Sequence, residues 1–153
     1  MLTKLFKKEV EVVEKIVEVE APPQDRREFY DYGWNLLLAE GFDEPTGLYY
    51  KVRHVCIEPG KSMAQQRHKL RKETWTQLSG QTHLILHRGL EERILESPQS
   101  CNIQKNAWHK IENTGEVESH VIIIEHGEEC SDSDVEIFKA PKSRKKTTSS
   151  SLL

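Results

Sequence analysis

From Phe29 onward the chain is a succession of short extended runs separated by turn residues, and this rhythm limits the folds open to it. Turn signals such as EPGK, SGQ, SPQS and NTGE punctuate the runs. The nine candidate strands are YGWNLLL, LYYKVRHVCI, ETWTQLS, THLILHR, EERILE, CNIQ, HKIEN, SHVIIIEH and DVEIFK. So many short strands bury their inner faces only as two facing sheets or as a closed barrel. The sequence therefore predicts an all-β sandwich or barrel.

The length and the changes in composition predict one domain flanked by two tails. A chain of 153 residues matches the commonest domain size. Residues 1–24 form an N-terminal extension in which EVEVVEKIVEVE fits both strand and helix spacing, and we expect it to serve a subunit contact. We place the domain at residues 25–140. Residues 141–153 are basic and then serine-rich, which predicts a disordered tail.

Charge and cysteine usage exclude several classes of protein. The net charge of −3 argues against nucleic acid as a partner, because phosphate binding needs a basic surface. Charged residues interrupt every apolar run near the N-terminus, so we expect neither a signal peptide nor a membrane span. Cys56, Cys101 and Cys130 form no CxxC pair, which indicates free thiols in a reducing compartment. We expect a cytoplasmic homodimer.

Two segments supply residues with the chemistry of metal ligands. Gln66 and His68 are two apart, so in an extended stretch their side chains point the same way. After a predicted turn at residues 69–72 the chain enters a strand that carries Glu73, and the segment NAWHKIEN adds His109. Imidazole, carboxylate and amide donors suit a divalent first-row metal. We predict one ion, Zn, Mn, Fe or Co, held by these four side chains.

The spacing of these residues resembles the two cupin motifs. In the first motif a glycine is followed by two ligands, a glutamate and a second glycine, here Gly60, Gln66, His68, Glu73 and Gly80. The second motif, PxGxxHxxxN, keeps His109 and Asn113 but has Gln104 and Asn106 for its proline and glycine. Asparagine tolerates the left-handed backbone conformation, so the tight turn can be retained at Asn106. The resemblance implies the cupin fold, a double-stranded β-sandwich or jelly-roll barrel.

Within the cupins the chain resembles the type II mannose-6-phosphate isomerases, a group that also occurs fused to mannose-1-phosphate guanylyltransferases. AQQRHKLRKETW is similar to the family's SLQxHxxRxEHW, and VIIIEHGEECSDSDVEI to its VIEVQxGxYLxEDDIxR. The resemblance runs from Tyr32 to Phe138. Two departures are Thr74, where the family has histidine, and Ile137, where it has an arginine expected to contact the sugar phosphate.

The resemblance implies a metal-dependent isomerase that interconverts aldose and ketose sugar phosphates, with mannose 6-phosphate and fructose 6-phosphate as the first choice. Polysaccharide or nucleotide-sugar precursor metabolism is the implied setting. We predict Arg71 and Glu73 as catalytic residues. Arg71 would grip a phosphate or neutralise an enediolate, whereas the alternative for it is a surface salt bridge to Glu112 or Glu92. The general base stays open between metal-bound water, Glu73 and another carboxylate.

Two other functions compete with isomerisation. Ile137 favours a non-catalytic cupin that binds a sugar or sugar nucleotide and assists or regulates such a pathway. Metal-dependent oxygenation is disfavoured, because Gln66 donates less electron density to a metal than an imidazole does.

The five histidines outside the motifs are expected to lie on the outside or at an interface: His54, His83, His87, His120 and His126.

Overall fold

The computed structural model describes residues 25–139, so the expectations for residues 1–24 and 141–153 lie outside the described residues. The described chain is built from strands and one short 3₁₀ helix, Asp132–Asp134. The strands are β1 (Glu28–Tyr30), β2 (Gly33–Asp43), β3 (Leu48–Ile57), β4 (Gln66–Arg67), β5 (Arg71–Ser79), β6 (Gln81–Leu86), β7 (Glu91–Glu96), β8 (Ser100–Ile103), β9 (His109–Glu112), β10 (Ser119–Gly127) and β11 (Glu136–Ile137).

These strands form two antiparallel sheets. One has six strands in the order β1-β2-β3-β10-β5-β8, and the other has five in the order β11-β4-β9-β6-β7. Buried apolar side chains from both sheets form a single core, which includes Val55, Trp75, Leu84, Ile111 and Val121. The all-β cupin sandwich predicted from the sequence is confirmed.

Each of the nine predicted runs contains a strand, and the differences are at the ends of strands. β2 continues to Asp43, beyond the predicted run YGWNLLL, and it has a register shift between Leu37 and Ala39. The turn predicted at residues 69–72 is shorter, because β5 begins at Arg71. Short strands β1 and β4 extend the two sheets. Turn residues alone did not indicate where hydrogen bonding to a neighbouring strand would resume.

The inward faces of β5 and β10 change from apolar to charged along their length. Trp75 lies opposite Ile123, and two residues further along Glu73 lies opposite Glu125. All four side chains are buried, since residues two apart on a strand share a face. The charged end of this face is therefore an enclosed polar region rather than a solvated edge. The candidate site lies there.

Asn106 has the left-handed conformation that its place in the second motif predicts. Its φ is +65°, and its backbone N–H donates to the carbonyl oxygen of His68 at 2.7 Å. Asparagine adopts this region at lower cost than most residues. The turn before β9 thus ties the two candidate ligand segments together.

Cys56, Cys101 and Cys130 are buried and free of disulfide bonds, as predicted. No helix in residues 25–139 has the length and hydropathy needed to cross a membrane.

Candidate metal centre

Three of the four predicted ligands converge on one buried point between the two sheets. His68 follows β4, Glu73 lies on β5 and His109 begins β9. His68 Nε2 lies 3.1 Å from Glu73 Oε1, and His109 Nε2 lies 3.5 Å from Glu73 Oε2. The three side chains are at most 4% exposed. Their donor atoms lie within 4.8 Å of one another.

The Nδ1 atoms of His68 and His109 are hydrogen-bonded to backbone carbonyl oxygens. His68 Nδ1 is 2.8 Å from the carbonyl oxygen of Asp134, and His109 Nδ1 is 3.0 Å from that of Ala107. A carbonyl oxygen only accepts, so each Nδ1 carries the proton, and in a neutral ring Nε2 presents a lone pair. Neither Nε2 has a hydrogen-bond partner among residues 25–139. Two lone pairs directed at a buried carboxylate leave a space whose electrostatics favour a cation.

The cationic groups around Glu73 favour its ionised form. Burial raises the pKa of Glu73, but a hydrogen bond from His68 and positive charge at His109, His68 and Arg71 outweigh burial and lower that pKa to about 2. Burial lowers the pKa of His109, although the charge of Glu73 opposes the shift. The Trp75 indole N–H also donates to Glu73 Oε2 at 2.7 Å. An ionised carboxylate beside a neutral imidazole is the protonation state in which these groups bind metals.

Gln66, the fourth predicted ligand, lies beside this cluster. It pairs with His109 across β4 and β9, and directly opposed residues of antiparallel strands share a face. Its side chain lines the cavity that also exposes Glu73. Its other strand neighbour is Ile137 on β11.

Asp134 organises the chain around His68, although the sequence analysis did not name it as a site residue. Its carboxylate accepts the backbone N–H of Lys69 at 2.9 Å and of Leu70 at 3.0 Å. Its carbonyl oxygen accepts the Nδ1 proton of His68. Asp134 therefore fixes both the turn after His68 and the orientation of the ring. Its sequence signal was the match of SDSDV to xEDDI in the family motif, where Asp134 stands at the second aspartate, more than 60 residues away from His68.

A cavity of about 750 Å³ opens above the cluster. Its polar lining includes Arg53, Arg71, Lys110, Glu125 and Asp132. Charges of both signs therefore surround the space next to the candidate ligands.

Arg71 lies inside the protein, so the alternative of a surface salt bridge to Glu112 or Glu92 is wrong. Its side chain is 3% exposed. Its guanidinium donates to the carbonyl oxygen of Ser131 at 2.7 Å and lies 3.6 Å from Glu125 and 3.7 Å from Glu73. Because β5 begins at Arg71, the guanidinium is on the same face as Glu73.

Glu125 and Arg53 are further charged residues of the cavity that the motifs did not identify. Arg53 Nε lies 3.4 Å from Glu125 Oε1, while Glu125 Oε2 has no hydrogen-bond partner among the described residues. Burial raises the pKa of Glu125, although Arg53 and Arg71 oppose the shift. The sequence signal was alternation, since Glu125 continues the inward-facing series of Val121 and Ile123. The family motif VIEVQxG has glutamine at this position.

Two lysines near the candidate ligands differ in their exposure. Lys110 lines the cavity, whereas Lys69 is 61% exposed and pairs with Glu136. His83, predicted to lie outside, is paired with Glu92 at 2.9 Å on the outer face of β6.

Residues 41–140 match the family described as mannose-6-phosphate isomerase, C-terminal. The chain belongs to this family. The match covers all four predicted ligands and both predicted catalytic residues. The resemblance to type II mannose-6-phosphate isomerases is confirmed, and the family places the chain among the cupins of sugar metabolism.

Relatives of this mannose-6-phosphate isomerase family member occur as parts of longer proteins. Mannose-1-phosphate guanylyltransferase 2 of Escherichia coli O157:H7 is 28% identical over 130 residues, which cover 84% of this chain and 26% of that protein. The chain thus spans about a quarter of the length of the first curated relatives it matches.

Solved structures show the same fold. The capsular polysaccharide assembling protein CapF from Staphylococcus aureus has a TM-score of 0.62 at 17% identity, with 74% of this chain and 34% of CapF covered. KdgF from Halomonas sp. has a TM-score of 0.55 at 16% identity, with 65% of this chain and 82% of KdgF covered. At these identities the likeness concerns the fold alone.

We expect Asp134→Ala to lower the free energy of unfolding by about 3 kcal/mol, because two backbone N–H groups lose a charged acceptor. The matched control is Asp132→Ala in the same 3₁₀ helix, where the side chain is 88% exposed. Its cost should be about 0.5 kcal/mol or less. Urea denaturation measures both. Equal costs would contradict the role assigned to Asp134.

Proposed function

We propose that this chain is a metal-dependent cupin that interconverts aldose and ketose sugar phosphates, with mannose 6-phosphate and fructose 6-phosphate as the first pair. The observation that carries the proposal is the buried convergence of two imidazole nitrogens on the carboxylate of Glu73 at the base of a charged cavity. Membership of the mannose-6-phosphate isomerase family supports the substrate class.

His68, Glu73 and His109, with Gln66 on the same face, would hold one divalent ion, Zn, Mn, Fe or Co. Such an ion supplies Lewis acidity, which stabilises negative charge on a sugar oxygen. The unpartnered Nε2 atoms and the ionised Glu73 support this ligand set. Glu73 is held by the Trp75 indole and His68 by Asp134, so both are oriented before an ion binds.

The reaction moves a proton between adjacent carbons through an enediol, and Glu125 is our candidate for carrying it. Its carboxylate is 4% exposed and its Oε2 is unpartnered in the described part of the chain. It lines the cavity beside Glu73, with which it is paired across β10 and β5. A carboxylate that is enclosed, and free at one oxygen, can accept a proton from a bound sugar and return it.

Arg71 and Arg53 are our candidates for binding the anionic part of the substrate. Both line the cavity, and the Nε atom of each lacks a hydrogen-bond partner within residues 25–139. Their nearest carboxylate contacts, 3.4 to 3.7 Å, are longer than good hydrogen bonds. Both guanidinium groups therefore keep donors for a phosphate or for an enediolate oxygen.

Ile137 supports a second function, a non-catalytic cupin that binds a sugar or sugar nucleotide. It lines the cavity beside Gln66, where the family has arginine. Without that guanidinium a bound sugar phosphate has one fewer cation to hold it or to polarise it.

Homodimer formation and a cytoplasmic location remain predictions.

We expect the metal-loaded chain to convert mannose 6-phosphate to fructose 6-phosphate, and chelation to abolish turnover. His68→Ala and His109→Ala should each bind one metal ion fewer per chain than the wild type and lower kcat/KM by about 100-fold or more. His83→Ala, which removes an outer-face imidazole, is the control and should retain the wild-type values of both. Metal analysis and a coupled assay for fructose 6-phosphate measure these outcomes.

The absence of turnover with Zn, Mn, Co and Fe would contradict isomerisation. Calorimetry with mannose 6-phosphate and with a mannose nucleotide then tests the second function. Saturable binding without turnover would support it, and lack of binding would contradict both.

Ile137→Arg should raise kcat/KM for mannose 6-phosphate about 10-fold or more if the family arginine contributes one charge-assisted contact to phosphate. The new guanidinium would enter the cavity beside Gln66. Ile94→Arg adds the same charge at a residue on β7 that is 46% exposed, and should leave kcat/KM unchanged. Equal effects of the two substitutions would indicate general electrostatics instead of a specific contact.

A further inference from the structure

A second group of metal-type donors lies on the opposite face of the six-stranded sheet from the cavity. Along β3, Arg53 and Val55 line the cavity, so His54 and Cys56 point to the other face. Cys56 lies opposite His120 on β10. Glu118, just before β10, completes the group.

Two of the donor-atom distances in this group are close to those of a tetrahedral zinc site. Cys56 Sγ is 4.0 Å from His120 Nε2, and Glu118 Oε2 is 3.2 Å from the same nitrogen. All three donors lie within 4.8 Å of one another. With Zn–S of about 2.3 Å and Zn–N and Zn–O of about 2.1 Å, tetrahedral geometry requires about 3.6 Å for S···N and about 3.4 Å for N···O. The S···N and N···O distances are therefore within a few tenths of an ångström of these values.

His120 is also held in the orientation that a ligand needs. Its Nδ1 lies 3.0 Å from His54 Nε2, which leaves His120 Nε2 directed at Cys56 and Glu118. Trp34 packs edge-on against both imidazoles, at centroid distances of 4.8 Å from His54 and 5.8 Å from His120. A ligating histidine is usually fixed in this way through its other ring nitrogen.

Burial and charge at the group fit a cation that enters from solvent. Cys56 is fully buried, whereas the side chains of His120 and Glu118 are 23% and 57% exposed. The open side of the group is therefore at Glu118. Burial, together with the carboxylates of Glu118 and Glu58, raises the pKa of the Cys56 thiol to about 11, although Arg27 opposes the shift.

We propose that Cys56, His120 and Glu118 form a second metal site, which takes a borderline or soft divalent ion such as Zn(II) and is independent of the cavity. A thiolate, an imidazole and a carboxylate form a donor set that favours zinc over magnesium or calcium. On binding, the thiol loses its proton to solvent as the metal–sulfur bond forms. The ion would link β3 to the start of β10, and three protein ligands leave a fourth position for water.

Cobalt(II) substitution separates this site from the candidate centre in the cavity. Thiolate coordination produces a sulfur-to-cobalt charge-transfer absorption, and the ligands predicted in the cavity include no sulfur. Titration of the purified full chain with Co(II) should therefore produce this absorption, with an amplitude at saturation that corresponds to one thiolate-bound cobalt ion per chain. It should persist in His68→Ala, which disables only the cavity site, and in Cys101→Ser, which removes another buried thiol.

The absorption should be absent in Cys56→Ser, and Glu118→Gln should weaken cobalt binding about 10-fold or more. Circular dichroism establishes that each variant is folded. If Cys56→Ser does not fold, His120→Gln takes its place, because His120 is partly exposed and its loss should also abolish the absorption. A folded wild-type chain without the absorption at saturating Co(II) would overturn the proposal, as would its persistence in Cys56→Ser or His120→Gln.

Discussion

The ionised carboxylate of Glu73 is the group on which the surrounding structure depends. It is buried between two imidazoles, and burial of an isolated charge is costly unless partners compensate for it. The Trp75 indole N–H and the Arg71 guanidinium, both on the same strand β5, lie beside it, and the imidazoles of His68 and His109 reach it from the facing sheet. A sandwich whose two sheets did not meet at this register would separate the carboxylate from both imidazoles. The fold and the candidate chemistry are therefore linked through one side chain.

The sequence predicted the strands well because strand formation depends on local spacing. Alternation along a strand indicated that Gln66 and His68 share a face, and the left-handed Asn106 followed from its motif position. Asp134 could not be predicted in this way. It reaches His68 only because β11 pairs with β4, which is a contact between distant parts of the chain.

The same limit explains why the alternative salt bridge of Arg71 was wrong and why Glu125 was omitted. Glu112 and Glu92 were plausible partners for Arg71 by charge alone, but the register of β5 and β10 places Glu125 beside it instead. Strand pairing determines which charges share a cavity, and pairing is not encoded in the spacing within one strand. The hydrogen bond between His54 and His120 likewise could not be predicted from the sequence, because it depends on the pairing of β3 with β10.

Long-range nitrogen-15 NMR of the imidazole rings tests the central claim most directly, because it reports which ring nitrogens carry protons. The account predicts that His68 and His109 are neutral, with the proton on Nδ1, and that zinc shifts the Nε2 resonances while Nδ1 stays protonated. Doubly protonated rings near neutral pH, with no change on addition of metal, would contradict it. That result would make the cluster a pair of imidazolium–carboxylate salt bridges and not a site for a cation.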